Sequence, residues 1–367
     1  MVSKKGSLEG LVVSPNFWKS KKVFITGHTG FKGGWLSLWL HSMGAELHGY
    51  ALNPISEPSL YESARLTLLF KTNTIADIRD RKTLKTIIDE IKPDIVFHMA
   101  AQPLVRYSYE HPIETYEVNI MGTLNLLEIL RYSTSIKSFI NVTSDKCYEN
   151  SESRHAYNEN DSLGGFDPYS SSKACSEIVT SAYRKSFFHD KEIGIATARA
   201  GNVIGGGDWS QDRLLPDFFK AVFEKRSLIV RFPEAVRPWQ HVLEPLSGYL
   251  NLAEKLYMEP CKFSGAWNFG PKPESAQTVS WILNKMTEKV PNAKWEADKT
   301  FQPHEATLLM LESKKAETLL SWTPHWSLDE AINKTILWQQ SFNAGDDPKN
   351  ISLSQISDYM KTNLCNL

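Results

Sequence analysis

The sequence has no apolar run long enough to cross a lipid bilayer. A membrane-spanning helix needs roughly 18 or more consecutive apolar residues, whereas the hydrophobic residues here, 41% of the chain, are interspersed with polar ones. The first residues, MVSKKGSLEGLVVSPNFWKS, also lack the apolar core of roughly 7 to 15 residues that a secretory signal contains. We therefore expect neither a transmembrane segment nor a secretory signal.

The chain also has few cysteines and almost no net charge. The four cysteines, Cys147, Cys175, Cys261 and Cys365, are far apart and show no paired spacing, which is typical of reduced thiols in a cytoplasmic protein. With 41 basic and 42 acidic residues, the formal net charge of −1 gives the chain no electrostatic footprint for nucleic acid. We expect a cytoplasmic protein that binds no nucleic acid, no membrane and no metal.

The 367 residues do contain an alternation of short apolar and longer amphipathic segments. Strands are predicted at 22–26, 45–52, 71–77, 94–100, 138–143 and 192–198. Helices are predicted between them at 33–43, 80–92, 113–132 and 169–188, and later at 213–225, 243–258, 277–289 and 327–342. Continuous apolar strands separated by helices indicate a parallel sheet covered on both faces, which binds ligands at the carboxyl ends of its strands.

A glycine-rich segment, TGHTGFKG, follows the first predicted strand and opens a helix. Gly27, Gly30 and Gly33 allow a tight turn and let backbone N–H groups approach a pyrophosphate at the positive end of the helix. An ordinary glycine turn is the alternative, but the order of strand, loop and helix favours a dinucleotide site. We hypothesise that the imidazole of His28 crowds the pyrophosphate, so that His28→Gly would tighten binding. A side chain that points into solvent is the alternative.

The choice between NAD and NADP depends on the residues after the second and third predicted strands. A carboxylate after the second strand would bind the ribose 2′-hydroxyl of NAD, but this stretch offers only Asn53. No arginine stands beside it to hold the 2′-phosphate of NADP, and we favour NAD. Asp77, after the third strand, is predicted to contact the adenine amine, with a helix N-cap as its alternative role.

Tyr169 and Lys173, in PYSSSKA, are four residues apart and lie on one face of a predicted helix. A free phenol has a pKa of about 10. A nearby ammonium and an oxidised nicotinamide ring both favour the phenolate, so Tyr169 could act as a base near neutral pH. A tyrosine and a lysine at this spacing usually form a surface pair. Their position after a strand that ends in VTSD favours catalysis.

The segments TGHTGFKG, DIR, HMAAQPLV, NIMGTLNLLE, TSDKCY and YSSSK, in this order, resemble the extended short-chain dehydrogenase/reductase family, and within it the nucleotide-sugar dehydratases. The resemblance runs from about residue 17 to about residue 345. It implies an α/β fold of the Rossmann type, a doubly wound parallel sheet with a smaller C-terminal α/β substrate domain. It also implies bound NAD, oxidation of a nucleotide sugar at C4, loss of water across C5 and C6, and hydride return to C6. The longer strings, such as RPWQHVLEPLSGY, favour CDP-glucose as the substrate.

The resemblance implies catalytic roles for Ser144, Asp145, Lys146, Tyr169 and Lys173. Tyr169 would be the base at the C4 hydroxyl, and Lys173 would hold the nicotinamide ribose and lower the pKa of the phenol. Ser144 would bond the C4 oxygen, and Asp145 would protonate the departing C6 hydroxyl. Lys146 departs from the pattern, because many relatives carry Glu there as the base at C5. An ammonium could serve only if burial lowered its pKa; alternatively, it stabilises the enolate. A solvated ion pair is the other interpretation of Asp145 and Lys146.

Further positions are assigned to the two ligands in the same way. The cofactor set is Gly27, His28, Gly30, Phe31, Lys32, Gly33, Asp77, Ile78, Ala100, Ala101, Gln102, Thr143, Tyr169 and Lys173. The substrate set is Asn202, Arg213, Arg237 and His304. Asn202 is expected to bind the substrate diphosphate. Arg213, Arg237 and His304 are candidates for phosphate or nucleotide contacts, and Arg237 is the best of the three because a guanidinium matches phosphate geometry. A surface cation is the alternative for each basic residue of the substrate set.

Domains and assembly are predicted as follows. Residues 1–16 form an N-terminal extension, 17–200 an NAD-binding domain to which about 243–270 return, 201–242 and 271–345 the substrate domain, and 346–367 a C-terminal tail. The helices at 113–132 and 169–188 carry apolar stripes that include Leu124, Leu127, Ile178, Val179 and Ala182. Periodicity alone places such stripes in a core. The family resemblance implies a homodimer that pairs these helices in a four-helix bundle.

Other functions are left open. A nucleotide-sugar 4-epimerase shares the fold, but it returns the hydride to C4 and has no use for an acid at C6, so Asp145 and Lys146 favour dehydration. A dehydratase for another nucleotide is a second alternative, since no residue reads cytosine from sequence alone. A non-catalytic dinucleotide-binding scaffold or sensor is the third, and it would not need the catalytic set. The products of such dehydratases usually feed the 3,6-dideoxyhexoses of bacterial surface polysaccharide, an inference from resemblance alone.

Overall fold

The computed structural model describes residues 13–151, 155–298 and 309–365, with side chains as far as residue 362. Within these ranges the strands are β1 Lys22–Thr26, β2 Glu46–Ala51, β3 Phe70–Ile75, β4 Ile95–His98, β5 Ser138–Val142, β6 Ala156–Tyr157, β7 Gly194–Arg199, β8 Val203–Ile204, β9 Leu228–Val230, β10 Val236–Pro238, β11 Gln240–His241, β12 Gly265–Asn268, β13 Ala276–Thr278, β14 Trp295–Ala297 and β15 Met310–Leu311.

The helices in the same ranges are α1 Pro15–Trp18, α2 Phe31–Ser42, α3 Leu60–Ser63, α4 Arg81–Ile91, α5 Val105–Glu110, α6 Pro112–Tyr116, α7 Gly122–Leu130, α8 Pro168–Phe187, α9 Leu214–Phe223, α10 Leu243–Met258, α11 Pro260–Phe263, α12 Val279–Lys289, α13 Lys314–Leu320, α14 Leu328–Asn343 and α15 Pro348–Cys365. A π-helical turn, Glu117–Met121, lies between α6 and α7 and interrupts the helix predicted at 113–132. None of these described helices is long and apolar enough to cross a membrane.

Seven strands form one parallel sheet in the order β12-β7-β5-β4-β1-β2-β3. Successive side chains of a strand point to opposite faces, so Val23 and Ile25 join one hydrophobic cluster while Phe24 joins another. The first cluster includes the buried faces of α2 and α10, and the second includes those of α4 and α7. This is the parallel sheet covered on both faces that the alternation predicts, with the doubly wound, Rossmann-type order that the family resemblance implies. The strand order reverses between β1 and β4.

The seventh strand comes from the segment that was expected to return to the sheet. β12 pairs with β7 in parallel, with Gly265 opposite Ala196, and α10 lies against β5 and β7. The remaining strands form two-stranded pairs, and a third hydrophobic cluster joins α9, α12 and α14 through Phe218, Ile282 and Ile332. The division into two domains at the stated boundaries stays a prediction.

The N-terminal extension predicted for 1–16 is wrong from residue 13 onward, and residues 1–12 lie outside the described ranges. Val13 is only 2% exposed, and Trp18 is fully buried. The backbone N–H of Ser14 and the Trp18 indole N–H donate to Glu254 Oε1 at 2.9 and 2.7 Å. Apolar contacts and a buried acceptor therefore fix this segment to the sheet domain.

The predicted C-terminal tail also contains ordered structure. Its residues form α15, whose Tyr359 is fully buried and donates to Glu244 Oε2 at 2.6 Å. Trp338 Nε1 of α14 donates to Ser352 Oγ at 2.9 Å. These bonds fix α15 to α10 and α14, so the chain from residue 348 is part of the fold.

Candidate active site

The turn after β1 is shaped by two close backbone approaches. Gly27 has a φ of +76°, and a Cβ there would lie 2.6 Å from the amide nitrogen of Ala100. A Cβ at Gly33 would lie 2.2 Å from the carbonyl oxygen of Gly27. Only glycine fits at either position. The absence of a side chain at Gly27 lets the turn pack against the residues that follow β4. Gly30, the N-cap of α2, has no side chain to cap the first N–H groups of the helix, so these remain available to an anion.

A cavity of about 740 Å³ lies at the carboxyl edge of the sheet, where the strand order reverses between β1 and β4. Most of the predicted site residues line it: Gly27, Gly30, Phe31, Lys32, Gly33, Asp77, Ile78, Ala100, Ala101, Thr143, Ser144, Asp145, Lys146, Tyr169, Lys173, Asn202, Arg213 and Arg237. The glycine turn, the tyrosine helix and the predicted substrate residues therefore meet in one continuous space. His304 lies outside the described residues.

His28 is not part of this cavity. Its side chain is fully buried beside β2 and β3, with Nε2 2.6 Å from Asn73 Oδ1 and the ring centroid 4.6 Å from that of Phe70. Burial lowers its pKa to about 4, so the imidazole is neutral at neutral pH. The hypothesis that it crowds the pyrophosphate is wrong, and so is the alternative that it points into solvent. The backbone of the glycine turn faces the cavity at Gly27 and Gly30, whereas the His28 side chain lies in the core.

Gln102 and Asp77 are engaged by protein groups. The Gln102 side chain accepts from the Leu104 N–H and donates to Thr115 Oγ1 at 2.9 Å, so it stabilises its own loop and does not line the cavity as predicted.

Asp77 does line the cavity, as predicted. Its Oδ2 accepts from Arg79 Nη2 at 2.7 Å, and this bond lowers the pKa of the carboxyl. Asp77 therefore stays ionised and can still accept a bond from an adenine amine.

Tyr169 and Lys173 are placed by the first two turns of α8. Asp167 caps this helix by accepting from the Ser170 N–H, and both functional side chains are buried at the cavity wall. Burial raises the pKa of Tyr169 to about 12, and its hydrogen bond with Ser144 acts in the opposite direction. Burial lowers the pKa of Lys173 to about 8, while its Nζ donates to the Val142 carbonyl at 3.4 Å. Burial therefore favours the phenol form of Tyr169.

The residues after β5 form a short 3₁₀ turn that presents three polar side chains. Ser144 Oγ accepts from the Lys146 N–H at 3.2 Å and donates to Asp145 Oδ1 at 3.0 Å. Asp145 is buried, and burial raises its pKa although Lys146 acts to lower it. A buried carboxyl of raised pKa suits a proton donor. The interpretation of Asp145 as part of a solvated surface pair is therefore wrong.

Sequence reasoning missed several charged pairs on the cavity wall. Arg106 Nη1 lies 2.8 Å from Asp212 Oδ1, and Arg231 Nη2 lies 3.7 Å from the same oxygen. Arg213 Nη1 lies 3.5 Å from Asp208 Oδ2. Arg106 precedes Asp212 by more than one hundred positions, and no motif marks either of them, so local spacing gave no signal for this pairing.

A family model described as GDP-mannose 4,6 dehydratase matches residues 24–335, a range that includes every cavity residue named above. The chain belongs to this dehydratase family. Among curated relatives, the CDP-glucose 4,6-dehydratase of Salmonella typhimurium is 51% identical over 355 residues, which cover 95% of this chain and 99% of that protein. A probable dTDP-glucose 4,6-dehydratase of Sinorhizobium fredii is 25% identical, over 86% of this chain and 92% of its own.

Solved structures share the fold of this dehydratase family member at lower sequence identity. An epimerase from Methanothermobacter thermautotrophicus has a TM-score of 0.76 at 23% identity and covers 90% of this chain and 95% of its own. A dTDP-glucose 4,6-dehydratase from Bacillus anthracis, solved in complex with NAD, has a TM-score of 0.72 at 18% identity and covers 90% of this chain and 100% of its own. At such identities the likeness establishes the architecture alone.

The buried position of His28 gives a stability prediction. His28→Gly opens a cavity beside Phe70 and leaves Asn73 without its partner, so we expect the free energy of unfolding to fall by about 2–4 kcal/mol. Urea unfolding measures this fall, with His41→Ala on the exposed side of α2 as the control. NAD affinity, measured by equilibrium binding, is expected not to increase. Tighter binding at unchanged stability would contradict this placement of His28.

Proposed function

We propose that this protein is a CDP-glucose 4,6-dehydratase that uses bound NAD to make CDP-4-keto-6-deoxyglucose. The observation that carries the proposal is its 51% identity to a curated CDP-glucose 4,6-dehydratase over 99% of that protein. The cavity supports it, because Tyr169, Lys173, Ser144 and Asp145 all line one wall. A scaffold or sensor would not require this combination.

The residues present fit NAD. Cβ atoms at Gly27 and Gly33 would collide with backbone, so the turn leaves a cradle in front of the uncapped start of α2, where a pyrophosphate would bind. Asp77 and Ile78 would flank the adenine, and Lys173 would hold the nicotinamide ribose. Bound NAD would supply the hydride acceptor for C4 of the sugar and the hydride donor for C6.

Tyr169 takes the proton of the C4 hydroxyl in this proposal. Because burial raises the pKa of the free phenol to about 12, the phenolate needs positive charge nearby. The Lys173 ammonium, one helical turn away, supplies part of it. Ser144, already hydrogen-bonded with Tyr169, would turn the hydroxyl hydrogen that it donates to Asp145 toward the C4 oxygen and keep that oxygen beside the base.

In the elimination of water, Asp145 acts at C6 of the sugar and Lys146 acts at C5. The buried Asp145 carboxyl protonates the departing C6 hydroxyl, so that water leaves in place of the poorer leaving group hydroxide. Lys146 acts at C5, as the proton acceptor or as the cation that stabilises the enolate. Asn202, Arg213 and Arg237, which also line the cavity, bind the diphosphate of the substrate in this proposal.

The substrate assignment is tested with three nucleotide sugars. Incubated with NAD, CDP-glucose should be converted to a product that has lost one water by mass and develops the near-ultraviolet absorbance of a 4-keto-6-deoxy sugar in alkali. dTDP-glucose and GDP-mannose should give neither signal. A product of unchanged mass would identify an epimerase, and turnover of one of the other sugars would contradict the proposed nucleotide.

Lys146→Met tests the assignment at C5. Without the ammonium we expect turnover to fall about 100-fold or more, while CDP-glucose binding persists, because the diphosphate ligands are unchanged. Steady-state kinetics and binding of CDP-glucose measure the two effects. Lys137→Met, distant from the cavity lining, is the control. A Lys146→Met protein that works near the parent rate would show that another group acts at C5.

A homodimer completes the proposal. Ile113, Tyr116, Met121 and Ile178 are exposed on α6, the π-helical turn and α8, which pack side by side. Leu127 of the predicted stripe is instead part of the core. A second copy covering this apolar face would form the four-helix bundle.

A reducing, cytoplasmic location is also proposed. The free thiols of Cys147, Cys175 and Cys261 support it.

Ile178→Glu is expected to convert the dimer to a monomer, because it places a charge in the centre of the proposed interface. Ile178 is 54% exposed, and Leu337, 56% exposed on α14, offers a matched control as Leu337→Glu. Light scattering after size exclusion measures the mass of each variant. A parent dimer that Ile178→Glu leaves intact would contradict the bundle.

A further inference from the structure

A buried ion pair lies behind the catalytic side chains and has no part in the steps above. Glu177 belongs to α8, one turn after Lys173, and Arg199 ends β7. Arg199 Nη2 donates to Glu177 Oε2 at 2.7 Å, and each side chain is only 3% exposed. Neither residue lines the cavity. Removing two charges from water is costly even when they are paired, so a buried ion pair contributes little to stability by itself. Another role is therefore sought for this pair.

The Glu177 carboxylate accepts two further hydrogen bonds. Thr143 Oγ1 donates to Oε1, and Thr197 Oγ1 donates to Oε2 at 2.7 Å. Thr143 directly precedes Ser144 and lines the cavity. The carboxylate thus connects the helix that carries Tyr169 to the end of β5, from which the other catalytic side chains start.

Arg199 fixes the far end of the same catalytic segment. Its Nη1 donates to Tyr148 Oη at 2.7 Å, and Tyr148 in turn donates to Asn268 Oδ1 of β12 at 2.8 Å. Tyr148 follows the 3₁₀ turn that contains Asp145. The segment from Ser144 to Lys146 is therefore held at both ends by groups bonded to one ion pair.

The charge of Glu177 also acts on Lys173. Burial lowers the pKa of Lys173 to about 8, and Glu177 is the main charge that acts to raise it. Among the described residues, no carboxylate lies within ion-pair distance of Lys173. The other titratable groups that face it are Cys147, a thiol of raised pKa; His98, whose pKa burial lowers to about 3; Lys32, whose pKa burial lowers to about 8; and Tyr169.

We propose that Glu177 is a positioning residue for the dehydratase reaction. Through Thr143 and Arg199 it holds the segment from Ser144 to Lys146 against α8, and its negative charge keeps Lys173 in the ammonium form that Tyr169 needs. The mechanistic part of this inference rests on the proposed function, whereas the effect on Lys173 does not.

Three variants separate charge from structure. Glu177→Gln removes the charge and keeps the shape, but it leaves the Arg199 guanidinium buried without its partner and can unfold the protein. The double variant Glu177→Gln/Arg199→Gln removes both charges and keeps hydrogen-bonding groups in place. Thr180→Val is the control, because it removes a buried bond between α8 and Asn141 of β5 without touching the pair. Circular dichroism establishes that each variant is folded.

The direct readout is the titration of the Lys173 ammonium. NMR of protein labelled with ¹³C at the lysine Cε atoms follows it, and Lys173→Met identifies the signal. Loss of a nearby negative charge disfavours the charged amine, so we expect the midpoint to fall by about one pH unit in Glu177→Gln and to fall also in the double variant. Thr180→Val should leave it unchanged. A midpoint in both charge variants equal to that of the parent overturns the proposal.

Kinetics with CDP-glucose provide the second readout. Activity that requires the Lys173 ammonium is lost as the pH rises through its pKa, so the alkaline limb of the kcat profile should move to lower pH by the same amount. At the pH optimum, kcat should fall about 10-fold or more with little change in KM. An unchanged alkaline limb and kcat would also overturn the proposal. If the parent protein does not turn over CDP-glucose but the Lys173 midpoint shifts, the proposed function fails and the electrostatic role of Glu177 stands.

Discussion

The contact between the glycine turn and the end of β4 decides where the rest of the site can lie. A parallel sheet delivers the ends of all its strands to one edge, but it opens a crevice only where the strand order reverses, here between β1 and β4. Gly27 touches the backbone of Met99 and Ala100 at that point, which leaves no room for a Cβ. The start of α2 is thereby aimed into the crevice, and the residues that follow β5 and β7 form its remaining walls.

Burial is the second constraint, and it shifts the pKa of four ionisable groups of the crevice away from the charged form. It disfavours the charged form, so it raises the pKa of Tyr169 and of Asp145 and lowers that of Lys173 and of Lys32. A carboxyl whose pKa is raised suits the proposed role of Asp145 as a proton donor. The same effect opposes Tyr169, which loses its proton in the proposed reaction, and Lys173, which is proposed to keep its own. For Lys173, the fixed negative charge of the buried Glu177 acts against this effect of burial.

Much of the architecture could be predicted from local patterns. The bounds of β1 and α10 match the predicted ranges, because each is an uninterrupted apolar or amphipathic segment. The cavity residues could be predicted because parallel strands place the loops after them at one edge, so motifs far apart in sequence converge there. The start and end of the described chain were harder to predict. α15 is mostly polar along its length, and only tertiary contacts such as that of Tyr359 with Glu244 show that it belongs to the fold.

Side-chain direction and distant pairing could not be predicted. The position of His28 between two glycines says nothing about which side of the turn its ring occupies; the backbone path decides that. The pairs Glu177–Arg199 and Arg106–Asp212 join residues on different elements, and their spacing in sequence follows no secondary-structure period. The family resemblance supplied the candidate catalytic residues but not the groups proposed to orient them, because those groups carry no motif.

The central claim is that the sugar is oxidised at C4 only transiently and that the hydrogen removed there stays within the active site. It is tested most directly with CDP-glucose that carries deuterium at C4, mixed with unlabelled CDP-glucose. The account predicts a 4-keto-6-deoxy product whose deuterium lies at C6, with transfer inside each molecule and no exchange between molecules. Deuterium retained at C4, or lost to water, would contradict it.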